Sequence, residues 1–129
     1  MFANLFISND IEQPDSKEPE YRVQTKTVFD LPVKGSLFSF KALISLGELK
    51  KKEKGHVLSI EMVNQDVDKI SFTPFEHTLD LPDADNAGIL VGLNNIEIPD
   101  FGLYKVILKI DDNAEAFTFI KFRELKNER

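Results

Sequence analysis

The segment Leu103-Tyr104-Lys105-Val106-Ile107-Leu108-Lys109-Ile110-Asp111-Asp112-Asn113-Ala114-Glu115-Ala116-Phe117-Thr118-Phe119-Ile120-Lys121-Phe122 decides the fold class. Tyr104, Val106, Leu108 and Ile110 alternate with Lys105 and Lys109, the period-two pattern of a strand with one wet face. Asp111-Asp112-Asn113-Ala114 predicts a tight turn, because Asp and Asn tolerate the left-handed backbone that such turns need. A two-residue turn at Asp112-Asn113 pairs Leu108 with Phe117 and Val106 with Phe119, both on one face. On the opposite face the same register pairs Leu103 with Phe122 and Lys105 with Ile120, and sets Ile107 against Thr118. Leu103, Ile107, Ile120 and Phe122 would then form an apolar patch where water is expected. Such patches mark interaction surfaces unless another part of the chain covers them.

Upstream, the same periodicity recurs. Phe2 to Ser8 is short, apolar and β-compatible. Asn9 to Glu20 carries five acids against Lys17 and predicts an exposed acidic loop. Tyr21, Val23, Thr25, Thr27 and Phe29 predict one half-buried strand. Phe38, Phe40, Ala42, Ile44 and Leu46 share a face of the next, and His56, Leu58, Ile60 and Met62 share a face of the one after. Asn64 to Lys69 is a polar turn. Ile70 and Phe72 resume the alternation, and Pro74, which cannot donate to a ladder, places that strand at an edge or a bulge. Leu81 to Gly88 predicts a loop. Ile89, Val91 and Leu93 predict a strand that continues through Ile96 and Ile98 after an irregularity at Asn94-Asn95. About eight strands at short spacing predict an all-β chain, an antiparallel two-sheet β-sandwich of immunoglobulin-like or jelly-roll topology. The length of 129 residues fits a single domain over residues 1–129.

Composition narrows the function classes. There is no cysteine, which removes disulfides, thiolate nucleophiles and cysteine-zinc sites and suits a reducing, cytoplasmic setting. No secretory leader is legible in Met1 to Ile7, and no apolar run reaches the ~20 residues of a membrane helix. A formal net charge of −6 opposes binding to phosphate backbones. The one basic cluster, Lys50, Lys51, Lys52 and Lys54, reads as a solvated connection between strands. The expectation is therefore no nucleic-acid and no membrane partner.

Catalytic signatures are sparse. No Gly-x-Ser-x-Gly elbow and no glycine-rich phosphate loop is present. His56 and His77 would face one another if Val63 paired with Ile70. A register one residue over, pairing Met62 with Ile70 and Ile60 with Phe72, keeps the core faces consistent and sets His56 against Glu76. Asp83, Asp85 and Gly88 match positions one, three and six of a calcium loop, but Ala87 and Asn94 occupy positions five and twelve. Asp80, Asp83 and Asp85 are the weak metal candidates, and no cofactor is expected. The 11 phenylalanines and absent tryptophan point to cores rather than sugar-binding platforms.

Phe2-Ala3-Asn4-Leu5-Phe6-Ile7, His56-Val57-Leu58-Ser59-Ile60 and Phe101-Gly102-Leu103-Tyr104-Lys105-Val106 running into Ile110-Asp111 resemble a family of small uncharacterised bacterial β-sandwich proteins. The resemblance implies the sandwich fold and transfers no residue roles. The expected function is a non-enzymatic protein-interaction or assembly module that forms a homodimer or homo-oligomer, or takes a protein partner, through an outer sheet face. The alternative is a small-molecule or carbohydrate binder or a hydrolase, using His56, Glu76, His77 and the Asp80, Asp83 and Asp85 loop at one end of the sandwich.

Overall fold

The structure, a computed structural model, describes residues 1–12, 21–24, 26–49, 53–81 and 84–126. The chain is all-β, with no helix among the described residues. Its strands are β1 (Phe2–Ser8), β2 (Ile11–Glu12), β3 (Arg22–Val23), β4 (Val28–Leu31), β5 (Leu37–Leu49), β6 (Glu53–Asn64), β7 (Ser71–Leu81), β8 (Ala84–Glu97), β9 (Gly102–Ile110) and β10 (Asn113–Glu124). They build a three-stranded sheet in the order β1-β5-β8, a five-stranded sheet in the order β4-β10-β9-β6-β7, and the small β2-β3 ladder. All pairings are antiparallel except β4 with β10, which is parallel.

The core follows from the alternation. Phe40, Ala42, Ile44 and Leu46 of β5 are buried, with Leu5 and Ile7 of β1 and Val91 and Leu93 of β8 beside them. From the larger sheet come Leu58, Ile60 and Met62 of β6 and Tyr104, Val106, Leu108 and Ile110 of β9. These faces pool into one hydrophobic cluster. The Tyr104 hydroxyl, buried with its ring, donates to the Asp100 carbonyl at 2.8 Å, which meets the need of a buried polar group for a partner.

Two irregularities fall where the sequence placed them. β7 is an edge strand, and Ile60 pairs with Phe75 while Met62 pairs with Phe72, so Thr73 and Pro74 together oppose Glu61 in a bulge. In β8, Phe38 pairs with Ile96 and Phe40 with Leu93, so Asn94 and Asn95 oppose Ser39 alone, with Asn95 left-handed at φ 55°.

Other expectations are corrected. The strand predicted from Tyr21 to Phe29 is two short pieces, β3 and β4. The Ser8 hydroxyl, fully buried, donates to the Gln24 carbonyl at 2.5 Å, and the Gln24 N–H donates to the Asp10 carbonyl at 3.0 Å. These bonds hold the chain against the end of β1 before β4 departs to pair with β10. The loop predicted over Leu81 to Gly88 is largely strand, because the 13-residue β5 offers partners as far as Leu49, opposite Ala84. β10 runs to Glu124. Of the lysine cluster, Lys54 lies in β6, while Lys50, Lys51 and Lys52 fall outside the described residues, as does most of the acidic Asn9–Glu20 segment.

The largest correction concerns the β9-β10 hairpin. Its turn residues are Asp111 and Asp112, both left-handed at φ 51° and 64°, one position earlier than expected. Asn113 therefore pairs with Ile110 and Ala114 with Lys109, after which Ala116 pairs with Leu108. Glu115 is the extra residue of a β-bulge. Beyond it Thr118 faces Val106, Ile120 faces Tyr104 and Phe122 faces Gly102. A one-residue change of register exchanges the two faces of a strand. Ile120 and Phe122, expected outside, are 1% and 0% exposed, and Phe117 and Phe119, expected inside, are 58% and 42% exposed.

The start of β9 is fixed by a polar knot. Asn64 Oδ1 accepts the N–H groups of Asp66 (2.8 Å) and Val67 (2.9 Å), while its Nδ2 donates to the Phe101 carbonyl at 3.1 Å. Asp66 Oδ2 accepts the Leu103 N–H at 2.8 Å. Gly102 sits at φ 128°, and a Cβ there would come within 2.9 Å of Asp66 Oδ2, so only glycine fits.

Candidate functional site

The four residues predicted as one interaction surface divide between two faces. Leu103 and Ile107 point outward, half-buried, while Ile120 and Phe122 belong to the core. Phe122 packs against Phe29 (ring centroids 5.8 Å), Phe38 (5.3 Å, edge-on) and Tyr104 (5.6 Å, edge-on). The outward apolar residues of this hairpin are instead Phe117, directly opposite Ile107, and Phe119, opposite Lys105, with Leu103 opposite Lys121.

This outer face has internal order. Phe117 and Phe119 meet edge-to-face, centroids 5.6 Å apart at 78°. Lys105 Nζ stands 4.3 Å over the Phe117 ring, a cation-π distance. Lys109 Nζ lies 3.3 Å from Glu61 Oε2 of β6. At the far end Arg123 is hydrogen-bonded to Asp30 of β4; that contact holds the Asp30 carboxyl below its usual range and raises the Arg123 guanidinium.

β4 pairs only with Lys121 to Glu124, so among the described residues the earlier half of β10 has no strand paired on that side. β1, the edge of the three-stranded sheet, runs alongside this open half without a ladder. A groove of about 540 Å³ lies between them, bordered by Ala3 and Phe6 of β1, Glu115, Ala116 and Phe117 of β10, and Lys105. Phe6 and Phe2 project outward from β1 at 45% and 54% exposure. Phe6 and Phe117 thus border the groove, with Phe2 on the same face of β1 as Phe6 and Phe119 against Phe117. The Phe2 ring lies across Gly47, where a Cβ would come within 2.2 Å of it, and Tyr21 covers Gly88 in the same manner at 2.8 Å. On this outer face Leu43 is buried between its cross-strand neighbours Phe6 and Leu90.

The catalytic and metal candidates are not brought together. His56 is opposite Leu79, and His77 is opposite Leu58; neither faces Glu76, which pairs with Ser59. The β6-β7 register differs from both expected alignments: Met62 pairs with Phe72 on the turn side of the Pro74 bulge, and the bulge adds one more residue of shift beyond it. His56 Nδ1 stands 2.6 Å from Asp111 Oδ2, and Asp111 Oδ1 accepts the Val57 N–H at 3.0 Å. The Val57 N–H and then His56 hold the Asp111 carboxyl below its usual range. These bonds clamp the hairpin turn to β6. Asp80 Oδ1 accepts the Gly55 N–H at 3.0 Å, Asp85 lies in β8, and Asp83 is outside the described residues. Among the described residues no group of three or more His, Asp or Glu could hold a metal ion, and no helix is long and apolar enough to cross a membrane.

The signal that could have located Phe117 and Phe119 is the double parity of β10. Phe117 and Phe119 occupy one parity, Ile120 and Phe122 the other, so pattern alone leaves the register open. No family model and no curated protein matches this chain, so the aromatic seam must be read from its geometry.

Proposed function

We propose that this chain is a non-enzymatic, cytoplasmic assembly module that pairs with a second copy of itself through the aromatic seam between β1 and β10. In this reading the two larger sheets stand as the layers of a β-sandwich, and the seam is one of its flanks. The observation that carries the proposal is the outward placement of Phe117, packed on Phe119, across the groove from Phe6, with Phe2 exposed on the same face of β1. Four rings at about half exposure present roughly 400 Å² of apolar surface, within the range of the largest patches on monomers, which are often functional. That is about half of the ~800 Å² per partner of a standard interface, which suits a weak dimer completed by a polar rim.

A second copy is the favoured occupant because the groove is self-complementary in charge. Lys105 and Glu115 both border it. A two-fold axis through the seam sets each Glu115 against the partner's Lys105, as an isologous interface requires. Sedimentation velocity across a concentration series tests the proposal. The wild type should show a reversible monomer-dimer equilibrium, and Phe117→Asp should shift it to monomer without loss of folded structure. A wild type that stays monomeric at roughly millimolar concentration, where even weak association registers, would sink the reading.

A further inference from the structure

On the opposite flank, β7 and β8 border a second cleft of about 570 Å³, within the range of small-molecule sites. Phe72 and Pro74 form one wall, Ile96 and Pro99 the other, and Lys69 and Glu97 stand at the rim. Three independent irregularities converge on it. The Pro74 bulge lies in one bordering strand and the Asn94-Asn95 bulge in the other. Lys69 is left-handed at φ 69°, an uncommon backbone for a lysine, and within the second bulge Asn95 is left-handed at φ 55°. Bulges and strained residues cluster beside functional sites because they re-aim side chains and hold strands apart. The Asn95 conformation is held by its N–H donating to Ser39 Oγ at 3.0 Å.

We propose that this cleft binds a small apolar zwitterion of amino-acid to dipeptide size. Lys69 takes the carboxylate, Glu97 takes the ammonium, and the apolar body lies between Phe72 and Ile96. Both rim charges favour this class over a simple acid or amine, which one of the two would repel. Neither Lys69 nor Glu97 enters an ion pair among the described residues, so both are available. The same features exclude an added β-strand as the occupant. Pro74 removes a ladder donor, and bulges on both bordering strands break the regular spacing that strand addition needs.

The probe is the dipeptide phenylalanyl-leucine with free termini, titrated by calorimetry and by amide chemical shifts. Its N-acetylated, C-amidated form is the control. Saturable binding of the free dipeptide, shifts confined to the β7 and β8 flank, and weaker binding of the blocked form are expected. Lys69→Gln and Glu97→Gln, both at exposed positions, should each weaken binding about five-fold, while Lys121→Gln on the other sheet face leaves it unchanged. No saturation up to roughly 10 mM would overturn the proposal, since even a millimolar Kd would register there. Equal affinity for free and blocked dipeptides, or binding indifferent to both rim substitutions, would also overturn it.

Discussion

Truncating Phe122 and Phe117 separately to alanine measures the hairpin register directly. Phe122 is fully buried and makes ring contacts with Phe29, Phe38 and Tyr104 at 5.8, 5.3 and 5.6 Å. Phe→Ala in a core typically costs about 3–5 kcal/mol from lost transfer energy and the residual cavity. The three aromatic pairs place Phe122→Ala toward the upper part of that range, about 4 kcal/mol or more. A chain of this length has a total stability on the order of 6–19 kcal/mol, so the loss is a large fraction. Phe117 is 58% exposed and would lose a partner ring and the Lys105 ammonium above it. Its truncation should cost under about 1 kcal/mol. Urea unfolding at low protein concentration, where association does not contribute, reads both. With a slope of about 2 kcal/mol/M, Phe122→Ala moves the midpoint down by about 2 M and Phe117→Ala by at most about 0.5 M. A Phe117→Ala loss that equals or exceeds the Phe122→Ala loss would refute the register and return Phe117 to the core.

Two further outcomes follow from the same hairpin. Deleting Glu115 joins Ala114, opposite Lys109, to Ala116, opposite Leu108, so every pairing beyond it is kept. The deletion should fold with Phe122 still inside, read by near-native unfolding and an amide spectrum changed only near the turn; a collapsed spectrum would show that the bulge does more than adjust register. Asp111→Asn keeps an oxygen that accepts from Val57 and a residue type that tolerates φ 51°, while removing the charge beside His56. Because the folded carboxyl titrates below its unfolded value, its stabilising contribution is present above the unfolded pKa of about 3.9 and disappears as pH falls through the folded one. Asp111→Asn should therefore flatten the loss of stability below about pH 4, and an unchanged acid limb would count against the clamp.

The all-β class and most strand positions could be read directly because one-sided burial writes alternation into the sequence. Tyr104 to Ile110, Phe40 to Leu46 and Leu58 to Met62 each bury one parity fully, and the other parity is more exposed except at Leu43 and Ser59. Pro74 and Asn94-Asn95 announced bulges because their backbone chemistry resists a regular ladder. The hairpin face could not be read for a specific reason. Had Ala114 and Lys109 set the register throughout, Phe117 would face Val106 and Phe119 would face Tyr104, an equally apolar arrangement. Only the bulge at Glu115, flanked by two alanines with no side-chain preference, reverses the outcome. The placement of His56 was hidden for a related cause, since the turn after β6 sets Met62 against Phe72 rather than Ile70 and the Pro74 bulge then adds one more residue of shift. The seam at β1 needed the tertiary approach of strands far apart in sequence, which no local pattern carries.

The parallel pairing of β4 with β10 bears on how the chain folds. Asp30 and Arg123, which meet at that pairing, are 93 residues apart. Phe29 finds Phe122 only when β10 arrives, so the short β4 strand waits through most of synthesis without its ladder partner. Non-local closure of this kind places folding toward the millisecond-to-second regime of sheet proteins. During that interval the β4 region and the uncharged β1 strand are open to pairing with other chains. Completion of the native state then depends on the arrival of one strand, and agents that slow it should raise aggregation before they lower equilibrium stability.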